Sequence, residues 1–135
     1  MHTLTWEGKR RFTARTPDGR EGRFDTPAEY GGEGTAPTPM EAVLHALAGC
    51  AAVDVVAILE KMRLPLEGLR VEIDADRAED HPRVYTAIRL RFVAKGDLPL
   101  KKVERAVKMS AETFCSVSAM LKPKVEITYE VVVEP

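Results

Sequence analysis

The chain has 135 residues, 44% of them hydrophobic and 30% charged, which predicts one globular domain with apolar material for one core. Its formal net charge is -1 and its sequence pI is about 6.3, so nothing in the overall charge calls for a nucleic-acid or anionic-membrane partner. The opening M-H-T-L-T-W-E-G-K-R-R lacks the apolar core of a signal peptide, and Asp54 interrupts the one long apolar stretch; the expectation is a cytosolic protein with no membrane partner.

Residues 3 to 7, 9 to 15 and 20 to 25 read as short strands, with turns at Glu7-Gly8 and Pro17-Asp18-Gly19. Residues 27 to 37, with their Gly31-Gly32 pair, read as a loop. A complete helix-start signal follows: Thr38 as N-cap, Pro39 as the first helical residue and Glu41 as the third, a capping box. The helix is predicted to run from 38 to about 63 and to stop before Pro65. From Val43 to Leu59 apolar residues cover most of its circumference, so it is expected to be surrounded on nearly every side.

Alternating apolar residues at 69 to 75 and 84 to 94 predict a hairpin of long strands turning at Glu79-Asp80-His81-Pro82. Val103, Ala106, Val107, Ser110 and Phe114 recur at helical spacing, and Val125, Ile127, Tyr129, Val131 and Val133 alternate as a last strand. The order βββ-α-ββ-α-β is that of an α+β domain with a mainly antiparallel sheet, over residues 1–135 as a single domain.

The chemistry rests on two cysteines without a CxxC spacing. Cys50 lies in the small-residue segment L-A-G-C-A-A of the long helix, and Cys115 follows a helical stretch at a break before Ser116-Val117-Ser118. In a reducing compartment such a pair is free, catalytic or redox-cycling rather than a permanent staple. By residue type alone each is also a small hydrophobe that packs inertly. Gly49 beside Cys50 points to close approach by another element or by a substrate. His45, five residues before Cys50, sits some 140° around the helix and is no local partner, and His2 and His81 lack metal-ligand spacing to either thiol.

Among the acids, Glu41 reads as the capping-box residue. Asp54, one turn beyond Cys50 on nearly the same face, either holds a cation near the thiol or pairs with a structural Arg. A guanidinium beside Cys50 favours the thiolate. Of Arg10, Arg11, Arg15, Arg20 and Arg23, strand alternation singles out Arg10, on the face of Trp6 and Phe12.

The Gly31-Gly32 pair, the T-A-P-T-P-M-E lead-in to the helix, A-G-C-A-A-V-D-V-V around Cys50 and F-C-S-V-S around Cys115 together resemble the OsmC/Ohr family of thiol peroxidases, most closely its YhfA-like branch. The resemblance implies an intertwined homodimer with two central helices back to back. It also implies Cys50 as the peroxidatic thiol, Cys115 as the resolving thiol and Arg10 as the activating cation. The substrate would be an organic hydroperoxide and the reductant a dithiol, lipoyl-type in the better-known branches, with no metal, flavin or haem. The family's hydroperoxide reductases carry a Glu ten positions before the reactive cysteine; here that position is Met40, with Glu41 about 100° away. This departure keeps a second reading open, a non-enzymatic dimer that senses oxidation or binds a small apolar ligand.

Overall fold

A computed structural model describes residues 1–135. The architecture is α+β, with two three-stranded sheets and three helices, and the chain divides into two compact units, Met1–Val43 and Leu44–Pro135.

In the first unit β1 (Thr3–Gly8), β2 (Arg11–Arg15) and β3 (Glu21–Phe24) form an antiparallel meander. The first turn differs from the expected one. Gly8, the last residue of β1 (φ 105°), and Lys9 (φ 48°) have positive φ, which ends the strand, and the register shifts between Trp6 and Gly8. The Trp6 indole N–H closes this turn by donating to the Lys9 carbonyl at 2.9 Å. Arg10 therefore lies in the connection between β1 and β2, and strand alternation has no bearing on where its side chain points.

The loop after β3 is organised around one carboxylate. Asp25 is 1% exposed, and it accepts hydrogen bonds from the amides of Thr26 (2.7 Å), Glu33 (3.4 Å) and Thr35 (3.0 Å) and from the Thr35 hydroxyl (2.6 Å). These donors, the Thr35 hydroxyl foremost, hold the Asp25 carboxyl far below the usual carboxylate range. The loop passes so close to itself that a Cβ on Gly32 would sit 1.8 Å from the Thr26 carbonyl oxygen. No other residue fits there.

The long helix α1 (Pro39–Lys61) starts as its sequence dictates. The Glu41 carboxylate accepts from the Thr38 amide and the Thr38 hydroxyl accepts from the Glu41 amide, both at 3.0 Å. It ends in a Schellman motif, with Arg63 left-handed (φ 57°), the Leu64 amide donating to the Leu59 carbonyl and the Arg63 amide to that of Glu60. Pro65 follows, where a helix cannot continue.

In the second unit β4 (Gly68–Arg77), β5 (Tyr85–Lys95) and β6 (Glu126–Glu134) form a sheet with β5 in the centre. β4 runs antiparallel to β5, and β6 runs parallel to it, because the chain crosses back through α2 (Leu100–Met109) and α3 (Ser116–Leu121). The predicted helical stretch through Phe114 is present, its last part, from Ser110, in π rather than α form. One π-type turn, Ser110–Phe114, separates α2 from α3. The core combines Leu47, Val55 and Leu59 of α1, Ile88, Leu90 and Phe92 of β5, and Val103 and Ala106 of α2, none more than 1% exposed. By length and composition α1 also has the apolar character of a membrane-crossing helix, a test that core helices of soluble proteins pass. Leu47, Val55 and Leu59 of α1 are fully buried, while Val53 and Val56 are exposed.

Two outcomes are expected. Phe92→Ala lowers the unfolding free energy by about 3–5 kcal/mol in urea titration, from lost burial plus the cavity. Asp25→Asn destabilises the protein at neutral pH. Because the native Asp25 pKa is depressed, its contribution is complete above the unfolded value of about 4 and is lost as the pH falls below it. The thermal-melt difference between parent and variant should therefore narrow in acid.

Candidate functional site

The thiols are brought together by two different pieces of backbone. Cys50 is half-buried on α1, on the flank of the stripe that Leu47, Ala51, Val55 and Leu59 bury. Cys115 is buried at the N-cap of α3, in extended backbone (φ -75°, ψ 106°) after the π-type turn. Both are free thiols, and they lie close enough for Cys50 to act on the ionisation of Cys115. They lie sixty-five positions apart in sequence, and the π-type turn sets where the chain leaves the helix at Cys115. Its amide donates to the Ser110 carbonyl, five residues back, at 2.8 Å.

Opposed effects act on Cys115. The Ser118 amide, in the first turn of α3, donates to its sulfur at 3.4 Å and favours the thiolate. Burial opposes this and is the larger effect; the neighbouring Cys50 adds to it, both by thiol–thiol interaction and by charge. The Cys115 thiol is pushed up and stays protonated at neutral pH.

Two hydroxyls lie beside Cys115. The buried Ser118 hydroxyl shares a hydrogen bond of 3.1 Å with the Tyr129 hydroxyl on β6. Burial, first, raises the Tyr129 phenol above its ordinary pKa, with a further contribution from Cys115. A cleft of about 630 Å³ opens beside this tyrosine, lined by Val107, Ile127 and Val131 and by the charged Glu104, Lys108 and Lys122. Neither cysteine lines it.

Asp54 has neither of its expected cationic partners. Its carboxylate accepts from the buried Ser110 hydroxyl at 2.8 Å, and no Lys, Arg or His of the chain forms an ion pair with it. A serine satisfies a carboxylate without the cost of burying a second charge. Glu41 is engaged in the cap of α1. His45 is exposed, and no cluster of three His, Cys, Asp or Glu side chains suits a metal ion.

In the first unit the five arginines separate by their partners. Arg11 pairs with Glu33 at 3.2 Å, Arg15 with Glu21 at 3.1 Å, Arg20 with Asp18 at 3.1 Å and Arg23 with Glu21 at 3.8 Å. Arg10 has no carboxylate partner. Its guanidinium lies over Gly31, where a Cβ would come within 3.6 Å of its Cζ, and Nη1 reaches only the Lys9 carbonyl at 3.4 Å.

Sequence reasoning did not pick out Ser110, Ser118 or Tyr129. The available signal was Ser110 itself, a hydroxyl recurring at helical spacing with Val103, Ala106 and Val107.

An α+β chain with this strand order, a long apolar helix and two free thiols from separate elements matches one class of proteins. The sequence model of the OsmC-like proteins matches residues 32–130, and the chain belongs to that family. Protein YhfA of Escherichia coli K12 is 49% identical over 100 residues, 72% of this chain and 75% of YhfA. A hypothetical protein from Aquifex aeolicus VF5 superposes with a TM-score of 0.83 at 34% identity, over 100% of this chain and 97% of that one. The OsmC organic hydroperoxide resistance protein from Legionella pneumophila shares the fold, with a TM-score of 0.73 at 21% identity over 98% and 97% of the two chains.

The thiols are expected to alkylate in order, Cys50 first and Cys115 with a pH midpoint above that of an ordinary thiol. Because Cys50 contributes to that rise, Cys50→Ser should lower the midpoint of Cys115 while burial keeps it above that of an ordinary thiol. Mass-resolved iodoacetamide labelling across pH 6 to 11 (roughly the span of ordinary and raised thiol values) measures both.

Proposed function

We propose that the protein is a cytosolic hydroperoxide reductase working as a homodimer, with Cys50 as attacker and Cys115 as resolver. The observation that carries this reading is the pair of free thiols of unequal burial, near enough for Cys50 to raise the pKa of the more buried Cys115. A Cys50 thiolate attacks the O–O bond, becoming a sulfenic acid and releasing an alkoxide that takes up a proton to leave as the alcohol. The Cys115 thiol then displaces hydroxide from the sulfenic sulfur. Its proton leaves with that hydroxide as water, and a disulfide remains. A dithiol reductant, of lipoyl type, returns both sulfurs to thiols and is itself oxidised to a disulfide.

Arg10 is proposed as the cation that stabilises the thiolate and the departing oxygen. Its support is that it alone of the five N-terminal arginines lacks a carboxylate partner. Relatives by fold named as organic hydroperoxide resistance proteins, such as those from Legionella pneumophila and Elizabethkingia anophelis, favour an organic peroxide as substrate. The dimer is favoured by the uncovered face of α1. Val53 there is 69% exposed, and a Cβ on Gly49 would meet no atom of the chain within 4 Å.

Met40, where the family's reductases carry a glutamate, favours a second reading: a thiol pair that senses oxidation without turning over. Turnover separates the two. With tert-butyl hydroperoxide and dihydrolipoamide the parent is expected to cycle and Cys50→Ser to be inactive, whereas Cys115→Ser reacts once and stops as a sulfenic acid. Arg10→Ala is expected to slow the first oxidation about 100-fold. Stoichiometric oxidation of the parent without dithiol-driven turnover would select the sensor. Light scattering should give twice the 15.0 kDa chain mass, and the chain mass itself would remove the dimer.

A further inference from the structure

We infer that Asp54 and Ser110 form a positioning pair that sets how closely the sulfurs of Cys50 and Cys115 approach. The inference deepens the proposed thiol chemistry and rests on it for its role in turnover. Ser110 is 1% exposed, and its hydroxyl and its carbonyl bond in opposite directions. Its hydroxyl donates to Asp54 Oδ2 at 2.8 Å, one helical turn beyond Cys50 on α1. Its carbonyl accepts the Cys115 amide at 2.8 Å, the bond that closes the π-type turn. The path from one cysteine to the other is therefore one turn of α1, one side-chain hydrogen bond and one backbone hydrogen bond.

Geometry makes this path matter for chemistry. A disulfide requires an S–S separation near about 2.05 Å with Cα atoms about 4.4 to 6.8 Å apart, so errors of a fraction of an ångström in the backbone are felt. The apolar burial that seats α1 is non-directional and tolerates sliding along the helix axis. The Asp54–Ser110 bond does not, because its length and direction tie one point on α1 to one point on the turn that carries Cys115. The only other acceptor near the Ser110 hydroxyl, the Ala51 carbonyl at 3.5 Å, lies at the limit of hydrogen bonding. Removing the carboxylate leaves the hydroxyl without a good partner and the turn without its tie.

The test is the effective concentration of the two thiols for each other, measured as the equilibrium between the Cys50–Cys115 disulfide and glutathione. Glutathione disulfide takes the two electrons and two protons of the dithiol and leaves as two glutathione molecules. Ser110→Ala and Asp54→Ala are each expected to lower the effective concentration about 10-fold, the loss of one hydrogen bond to a charged group. The double variant falls no further than either single one. Asp54→Asn, whose amide oxygen still accepts from Ser110, retains most of the parental value.

The kinetics should split the same way. After one equivalent of peroxide the two alanine variants lose the Cys50 thiol at the parental rate but close the disulfide more slowly, so dimedone traps more sulfenic acid. Glutathione equilibria of both alanine variants equal to the parent's would overturn the inference, as would equal slowing of both steps. If either variant fails to fold by circular dichroism, the other carries the measurement, with Asp54→Asn as its control. A parent that equilibrates with glutathione but shows no hydroperoxide turnover removes the peroxidase and leaves the positioning pair standing. A parent that forms no disulfide removes both.

Discussion

The stripe that Leu47, Ala51, Val55 and Leu59 bury fixes the rotation of α1 about its own axis, and everything near the thiols depends on it. Each large aliphatic side chain so buried stabilises the fold by about 1.5–3 kcal/mol. Turning the helix by one residue, about 100°, would take these side chains out of the core and carry Cys50 and Asp54 away from Cys115 and Ser110. A single hydrogen bond to a carboxylate contributes about 1.5–3 kcal/mol at most. Burial therefore decides which residues of α1 face the turn that carries Cys115, and the Asp54–Ser110 bond can only refine a position that burial has already chosen.

Within that frame two chemically identical side chains become unlike. Cys115 caps a short helix, and the amide directed at its sulfur pulls its pKa down; enclosure and the neighbouring thiol push it up, and enclosure wins. Cys50, half-buried on the flank of its helix, has access that Cys115 lacks. In the proposed reaction this difference in access sets the order, the accessible thiol attacking and the enclosed one following.

The first unit solves a different problem, holding a glycine-rich loop in one shape. Asp25 does so by collecting four donors from the loop's own residues, so the loop needs no core of its own. Glu33, held at its amide by Asp25, uses its side chain on Arg11. Arg10, over Gly31, is thereby left with its charge uncompensated by any carboxylate of the chain. The neighbouring arginines spend theirs on surface pairs worth little to stability.

Local features were legible in the sequence because their causes are local. The Thr38–Glu41 capping box spans three residues, the stop before Pro65 follows from a missing N–H, and the strands of the second sheet show alternation along their own length. The family was legible too, through the residues flanking each cysteine and the glycine pair. What tertiary structure decided has its cause elsewhere in the chain or in backbone strain. Lys9, a residue with no turn preference, takes the left-handed conformation that moves Arg10 off the strand. The pairing of β6 parallel to β5 depends on the path of two helices between them. Asp54 carries no mark of its partner, because Ser110 lies 56 residues away. A contact of that range exists only once the core has packed, and the meeting of Cys50 with Cys115 is decided the same way.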